Sequence, residues 1–155
     1  MRWYPFSIHP DFKRAELQPY LPIKIIHPED ANSYVIVGAL VDTGAFSTKI
    51  PMKWAERIGL DVENGNHISG DTAGGEIEGL LCKCKIQVLD LSEKGKILSE
   101  NILVELIGDR FVFGKCTPIP LLGVKEFLKD LLLTVDYPNK KFSLEKSIDL
   151  LPKDV

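Results

Sequence analysis

Hydrophobic and polar positions divide the chain into short stretches that mostly alternate with period two, the spacing of β-strands. Residues 21–27 (LPIKIIH) alternate, residues 28–33 form a polar turn, and residues 34–41 (YVIVGALV) run almost unbroken and β-branched. That pattern predicts a hairpin whose second strand is buried on both faces. Residues 80–90 (LLCKCKIQVLD) read as a half-exposed strand, and residues 102–107 as another beyond a polar turn at 93–96. The chain closes with a hairpin of residues 132–137 and 142–145 around Pro138-Asn139-Lys140-Lys141. Residues 108–120 read as a loop with a short strand at 111–113.

Helical spacing is rarer. Pro51 stands at a first helical position, followed by Met52, Ala55 and Ile58 until Gly59 stops the turn. Val124, Phe127, Leu128 and Leu131 form an i, i+3, i+4, i+7 set and predict a second helix. Residues 1–20 are irregular, broken by Pro5, Pro10 and Pro19, with a short helix across 11–17. Trp3, Tyr4 and Phe6 imply that this arm packs on something, either its own domain or a partner. The expected class is mainly β with one or two short helices.

Composition narrows the function classes. At 155 residues the chain is one domain's worth, and its net charge of -3, with both signs interspersed, offers no basic surface for nucleic acid. No apolar run reaches the length of a bilayer span, and MRWYPFSIHP lacks the apolar core of a signal peptide, so no membrane partner and a cytoplasmic location are expected. Three cysteines, an odd number, suit a reducing compartment. Cys82 and Cys84 share one strand face and, with Cys116 and His67, would form a zinc set only at an unusual spacing. Small buried thiols are the commoner outcome, so neither a metal nor a cofactor is expected.

Asp42 is where the apolar run of 34–41 meets a turn, in the sequence Asp42-Thr43-Gly44. Taken alone, the tripeptide is an Asx turn closing a core strand, with Gly44 supplying the φ the turn needs. A carboxylate at the end of a buried strand is also where catalysis is placed. Between residues 64 and 79 repeated glycines interrupt a strand-compatible segment, which predicts two short strands and a mobile tip.

The sequence Leu40-Val41-Asp42-Thr43-Gly44-Ala45 resembles the active-site segment of the retropepsins, the single-domain aspartic proteases of clan AA. Pro120-Leu121-Leu122-Gly123-Val124, followed by a helix, resembles their second motif, and the resemblance spans roughly residues 21–146. It implies a closed, β-barrel-like acid protease fold over 21–146, with an N-terminal arm at 1–20 and a C-terminal tail at 147–155. Residues 147–151 would add an interface strand or fray. Such enzymes activate water between two carboxylates that share one proton. The chain has a single Asp-Thr-Gly, so the resemblance implies a homodimer in which Asp42 of each subunit meets on a two-fold axis. Asp136 is a weaker candidate for a second acid within one chain, and a surface residue ahead of a turn is the plainer reading of it.

The resemblance also implies supporting roles. Thr43 would hydrogen-bond across the dimer axis, Gly44 would offer its backbone to substrate and Ala45 would pack nearby. Leu121, Leu122 and Gly123 would hold the catalytic loop. The glycine-rich hairpin, with Asp71, Thr72, Ala73, Gly74 and Gly75 at its tip, would be the flap that covers an extended peptide. An exposed hairpin with no substrate role is the plain alternative. Viral members carry an acid four residues after the catalytic Asp and an Arg after the second motif's Gly. Phe46 and Val124 stand there instead, an apolar pair able to replace a buried ion pair, in a pattern closer to cellular and prokaryotic relatives. The expected activity is aspartic endopeptidase. Its alternatives are a catalytically silent dimeric module that binds peptide or protein, and a monomeric scaffold.

Overall fold

The computed structural model describes residues 3–8, 16–64, 66–72, 75–89, 102–108 and 119–147. Its architecture is mainly β with few short helices, as the sequence pattern predicts. Strand β2 (Tyr20–His27) turns at Pro28 and Glu29 into β3 (Asp30–Val41), and the two pair in register from Tyr20↔Leu40 to Ile26↔Tyr34, with an irregularity at Ile26/His27. The turn is shorter than the polar run suggests, because Asp30 to Ser33 continue the strand. β2 also pairs antiparallel with β5 (Gly75–Val88), which carries β4 (Asn66–Thr72) and β6 (Ile102–Gly108) beside it. The resulting six-stranded sheet runs β4-β5-β2-β3-β7, with β6 on β5, and β7 is Leu121–Leu122.

The expectation that residues 34–41 are buried on both faces is overturned. Ala39 and Val41 are buried, but Tyr34 is 47% and Ile36 57% exposed. Their partners across the ladder are Ile26 and Lys24, and the Lys24 ammonium sits 3.8 Å from the Tyr34 ring centroid. Only the inner face of the hairpin, with Leu21, Ile23, Ile25, Ala39 and Val41, enters the core. Among the described residues no second layer lies on the outer face, so period-two burial prevails there.

The N-terminal arm is more ordered than its prolines suggest. Trp3–Pro5 forms β1, which pairs with β9 (Lys141–Lys146), and β9 in turn pairs with β8 (Leu131–Asp136) in a separate three-stranded sheet. The Tyr4 ring stacks on Phe142 at 5.4 Å and Phe6 meets Tyr137 edge-on at 5.6 Å, so the arm packs on its own chain. Prolines at strand ends are compatible with an edge strand, which is the position β1 takes. Of the helix predicted across 11–17, residues 11–15 lie outside the described residues, while Glu16 and Leu17 are not helical.

The first helix, α1 (Met52–Arg57), buries Ala55 and is capped beyond its end by buried Ile58 and by Gly59 at φ 81°. Pro51 precedes it as the flanking residue rather than opening it. The second predicted helix shrinks to one π-helical turn, Val124–Leu128, closed by the Leu128 amide on the Gly123 carbonyl at 3.0 Å. Phe127 and Leu128 are buried as expected, but Val124 is 39% exposed and Leu131 belongs to β8. Pairing of Leu131 with Lys146 draws it into the sheet, which leaves no room for a second turn. Among the described residues no helix is long and apolar enough to cross a membrane.

The core joins both sheets. Leu21, Ile23, Ile25, Ile86, Leu122, Phe127 and Phe142 are all buried within one apolar cluster. Cys84 belongs to it and Cys82 packs against it, both as free thiols. Burial pushes the Cys82 thiol up to about 11 and raises Cys84 further, so these cysteines serve as apolar filling. Cys116 and the His67 side chain, the other members of the zinc set weighed above, lie outside the described residues, as does the strand predicted at 111–113.

Candidate active site

Asp42 is the first residue beyond β3, and its placement depends on β7. Leu121–Leu122 slides in parallel beside the end of β3, pairing Leu40↔Leu121 and Val41↔Leu122. On its other side, Leu121 exchanges two backbone hydrogen bonds with Lys49, at 2.8 and 2.9 Å. The Asp42 amide donates to the Leu122 carbonyl at 3.1 Å. A two-residue strand thus closes the loop running from Asp42 to Lys49, and both leucines are buried because loop and strand cover them.

Within the loop, the Gly44 amide donates to Asp42 Oδ1 at 2.9 Å and the Ala45 amide to the Asp42 carbonyl at 3.2 Å. This is the Asx turn that the tripeptide predicts. Gly44 does not supply a left-handed φ, since Gly59 is the positive-φ glycine among the described residues. Its requirement is space: a Cβ there would stand 3.2 Å from Asp42 Oδ1. Asp42 itself is half-buried, Thr43 and Gly44 are exposed, and Ala45 is buried. Among the described residues Oδ2 of Asp42 has no hydrogen-bond partner, so one carboxylate oxygen is left open beside an exposed turn.

Gly123 is where loop and second motif touch most closely. A Cβ on it would lie 2.4 Å from the Ser47 carbonyl carbon and oxygen and 2.8 Å from the Thr48 nitrogen, all backbone atoms that cannot swing aside. Its amide donates to Thr48 Oγ1 at 3.0 Å. The Val124 and Lys125 amides donate to the Ala45 and Phe46 carbonyls at 2.9 and 2.8 Å. Thr48 is fully buried, and its own amide donates to Glu126 Oε2 at 2.7 Å.

Thr48 and Glu126 were not legible as site residues. Thr48 sits between Ser47 and Lys49, and Glu126 follows Lys125, so no local signal marks either, and only tertiary contact shows that they meet.

Asp42, Thr43, Gly44, Ala45, Leu121, Leu122 and Gly123 are therefore brought together. Asp71, Thr72 and Gly75 lie at the end of the β4–β5 hairpin, where Thr72 pairs with Gly75, while Ala73 and Gly74 lie outside the described residues. Phe46 and Val124 do not form the buried apolar pair expected of them: Phe46 is 72% exposed and Val124 39%. Their backbones sit side by side, with the Lys125 amide on the Phe46 carbonyl, and both side chains stay exposed.

Residues 32–96 match the aspartyl protease family, a segment that contains Asp42. The crystal structure of a retropepsin-like aspartic protease from Rickettsia conorii shares the fold, with a TM-score of 0.52 at 18% identity over 94% of this chain and 99% of that one. The fold is retropepsin-like. The retroviral protease-like domain of Ddi1 from Leishmania major aligns at a TM-score of 0.43 and 19% identity, covering 87% of this chain and 100% of that one. No curated protein sequence matches the chain. The likeness in fold to the Rickettsia protein extends over nearly the whole chain, including most of the residues beyond the family match.

Asp136, the alternative acid, is engaged elsewhere. Its two carboxylate oxygens accept from the Asn139 side-chain amide at 3.1 and 2.9 Å, Oδ1 accepts also from the Asn139 backbone at 3.2 Å, and Lys141 Nζ is 3.6 Å from Oδ2. Those bonds hold its carboxyl below the ordinary value, the Asn139 side chain contributing most.

Proposed function

We propose that the protein is an aspartic endopeptidase whose active centre forms when two copies meet, with Asp42 of each at the two-fold axis. The observation that carries this reading is a carboxylate with one open oxygen at the end of a core strand, its loop locked by the second motif and flanked by exposed apolar side chains. One Asp-Thr-Gly per chain provides half of the chemistry. Pairing of two carboxylates about 3 Å apart makes one a base and leaves the other protonated. The first takes a proton from water, and the second donates to the carbonyl oxygen of the scissile amide. The partner copy would cover Phe46 and Val124, both exposed in the single chain.

The substrate is an extended peptide. In this reading the β4–β5 hairpin is the flap, with Asp71, Thr72, Ala73, Gly74 and Gly75 closing over it, and the peptide adds main-chain hydrogen bonds like another strand. Thr43 bonds across the axis, and Gly44 offers its backbone to the peptide. The free thiols of half-buried Cys82 and buried Cys84 support a reducing, cytoplasmic setting. Cleavage of a peptide library by wild type and Asp42→Asn, at several protein concentrations, is the test. The expected result is cleavage that rises with dimerisation and vanishes in the variant. Binding of extended peptides without products would instead make the protein a silent recognition module.

A further inference from the structure

The π-helical turn begins at Gly123, which has no side chain to cap it. A helical turn leaves its first amides without partners inside the turn. Here the loop after Asp42 takes them in order: Gly123 to the Thr48 hydroxyl, Val124 to the Ala45 carbonyl, Lys125 to the Phe46 carbonyl. The exchange is mutual, because the Thr48 amide donates to Glu126 at 2.7 Å. In a capping box, the hydroxyl of the residue before a helix accepts from the amide of the third residue inside it, whose side chain accepts that residue's amide in return. Here the second bond has its counterpart in the Thr48 amide on Glu126, while the Thr48 hydroxyl takes the Gly123 amide instead. Thr48, 75 positions away, stands in for the missing cap, and Glu126 is the third residue of the turn.

Two of the four bonds run backbone to backbone and survive any side chain. The two at Thr48 depend on chemistry. Glu126 is the charged one, its side chain 9% exposed, with Lys125 Nζ 4.0 Å from its other oxygen. A carboxylate accepting from a buried amide makes a stronger bond than a neutral acceptor would. The loop is tied to the second motif at its start by the Asp42 amide on Leu122, and at Thr48 by Glu126.

We propose that Glu126 is a positioning residue, whose carboxylate holds the Thr48 amide and thereby sets the loop that presents Asp42. Its consequence for cleavage rests on the peptidase reading, whereas its effect on the loop does not. Amide spectra and hydrogen exchange of wild type, Glu126→Gln and Glu126→Ala separate the two. Thr48 is expected to exchange at least about tenfold faster in Glu126→Ala, with the Gln variant recovering part of the protection. The Gly44 amide, bonded to Asp42, is expected to shift in Glu126→Ala and return toward the wild-type position in Glu126→Gln. In peptide cleavage, kcat is expected to fall in the same order while KM holds. Unchanged Thr48 protection in Glu126→Ala, or a Gly44 resonance indifferent to either variant, would overturn the proposal whether or not the wild type cleaves peptides. If Glu126→Ala does not fold, the Gln variant decides: partial loss of Thr48 protection with a displaced Gly44 resonance supports the proposal, and wild-type behaviour overturns it.

Discussion

Asp42 and Asp136 each stand at the end of a strand and each accept hydrogen bonds from residues just ahead, yet the chain treats them differently. Asp136 serves the β8–β9 turn, where Asn139 and Lys141 occupy both of its oxygens. Asp42 bonds one oxygen to Gly44, and its backbone is held by a strand from the far end of the chain. The local turn does not mark the candidate site, since Asp30 and Asp61 make the same bond to the amide two residues on, at 3.0 and 3.1 Å. What separates Asp42 is the pairing of β3 with β7. A carboxylate becomes available for chemistry when distant backbone, rather than its own oxygens, carries the structural burden.

The sharpest way to break this contrast is to neutralise each acid. Asp42→Asn is expected to lower peptide cleavage by about a hundredfold to ten-thousandfold, while Asp136→Asn leaves it within error; kinetics on one purified substrate measure both. Equal losses would erase the distinction. Next comes the strand that holds Asp42. Leu122→Ala is expected to destabilise the fold by about 2–5 kcal/mol, because Leu122 is fully buried, whereas Leu132→Ala, on the 54% exposed side of β8, stays within about 0.5 kcal/mol. Urea midpoints at constant m-value decide that pair.

Gly123→Ala presses a methyl group onto the Ser47 backbone, and a cost of about 1–3 kcal/mol is expected, with the Gly44 amide resonance displaced. The smallest effect belongs to Asp136. Its carboxyl lies below the ordinary value of 3.8, so it binds protons less readily folded than unfolded, and its contribution is present above that value and lost as pH falls through its lowered folded value. Thermal melts of wild type and Asp136→Asn are therefore expected to converge slightly below about pH 4 and to differ most above it.

Much of the candidate site was legible before folding. Residues 40–44 and 121–123 declare a buried strand ending in a charge and a second apolar motif ending in glycine, both one-dimensional patterns. The β2–β3 hairpin was visible for the same reason. Other parts were not. β1 is a three-residue edge strand with proline at its end, and nothing local distinguishes it from a loop until Phe142 supplies a ring to stack on. The predicted second helix had the right period through Leu131, but strand pairing with Lys146 outweighed helical propensity at that residue. Tyr34 and Ile36 looked like core positions by hydrophobicity, and the number of layers over a sheet cannot be read from the strand itself.

Periodicity alone was enough for a mainly β chain, because strand spacing is a property of neighbouring residues, and the resemblance of residues 40–45 to the retropepsin segment singled out Asp42. The bond from Thr48 to Glu126, the fit of Gly123 against Ser47 and the open oxygen of Asp42 came into view only with the folded chain. The first two join residues 75 or more positions apart, and geometry at that separation is set by how strands cross, which no local pattern encodes.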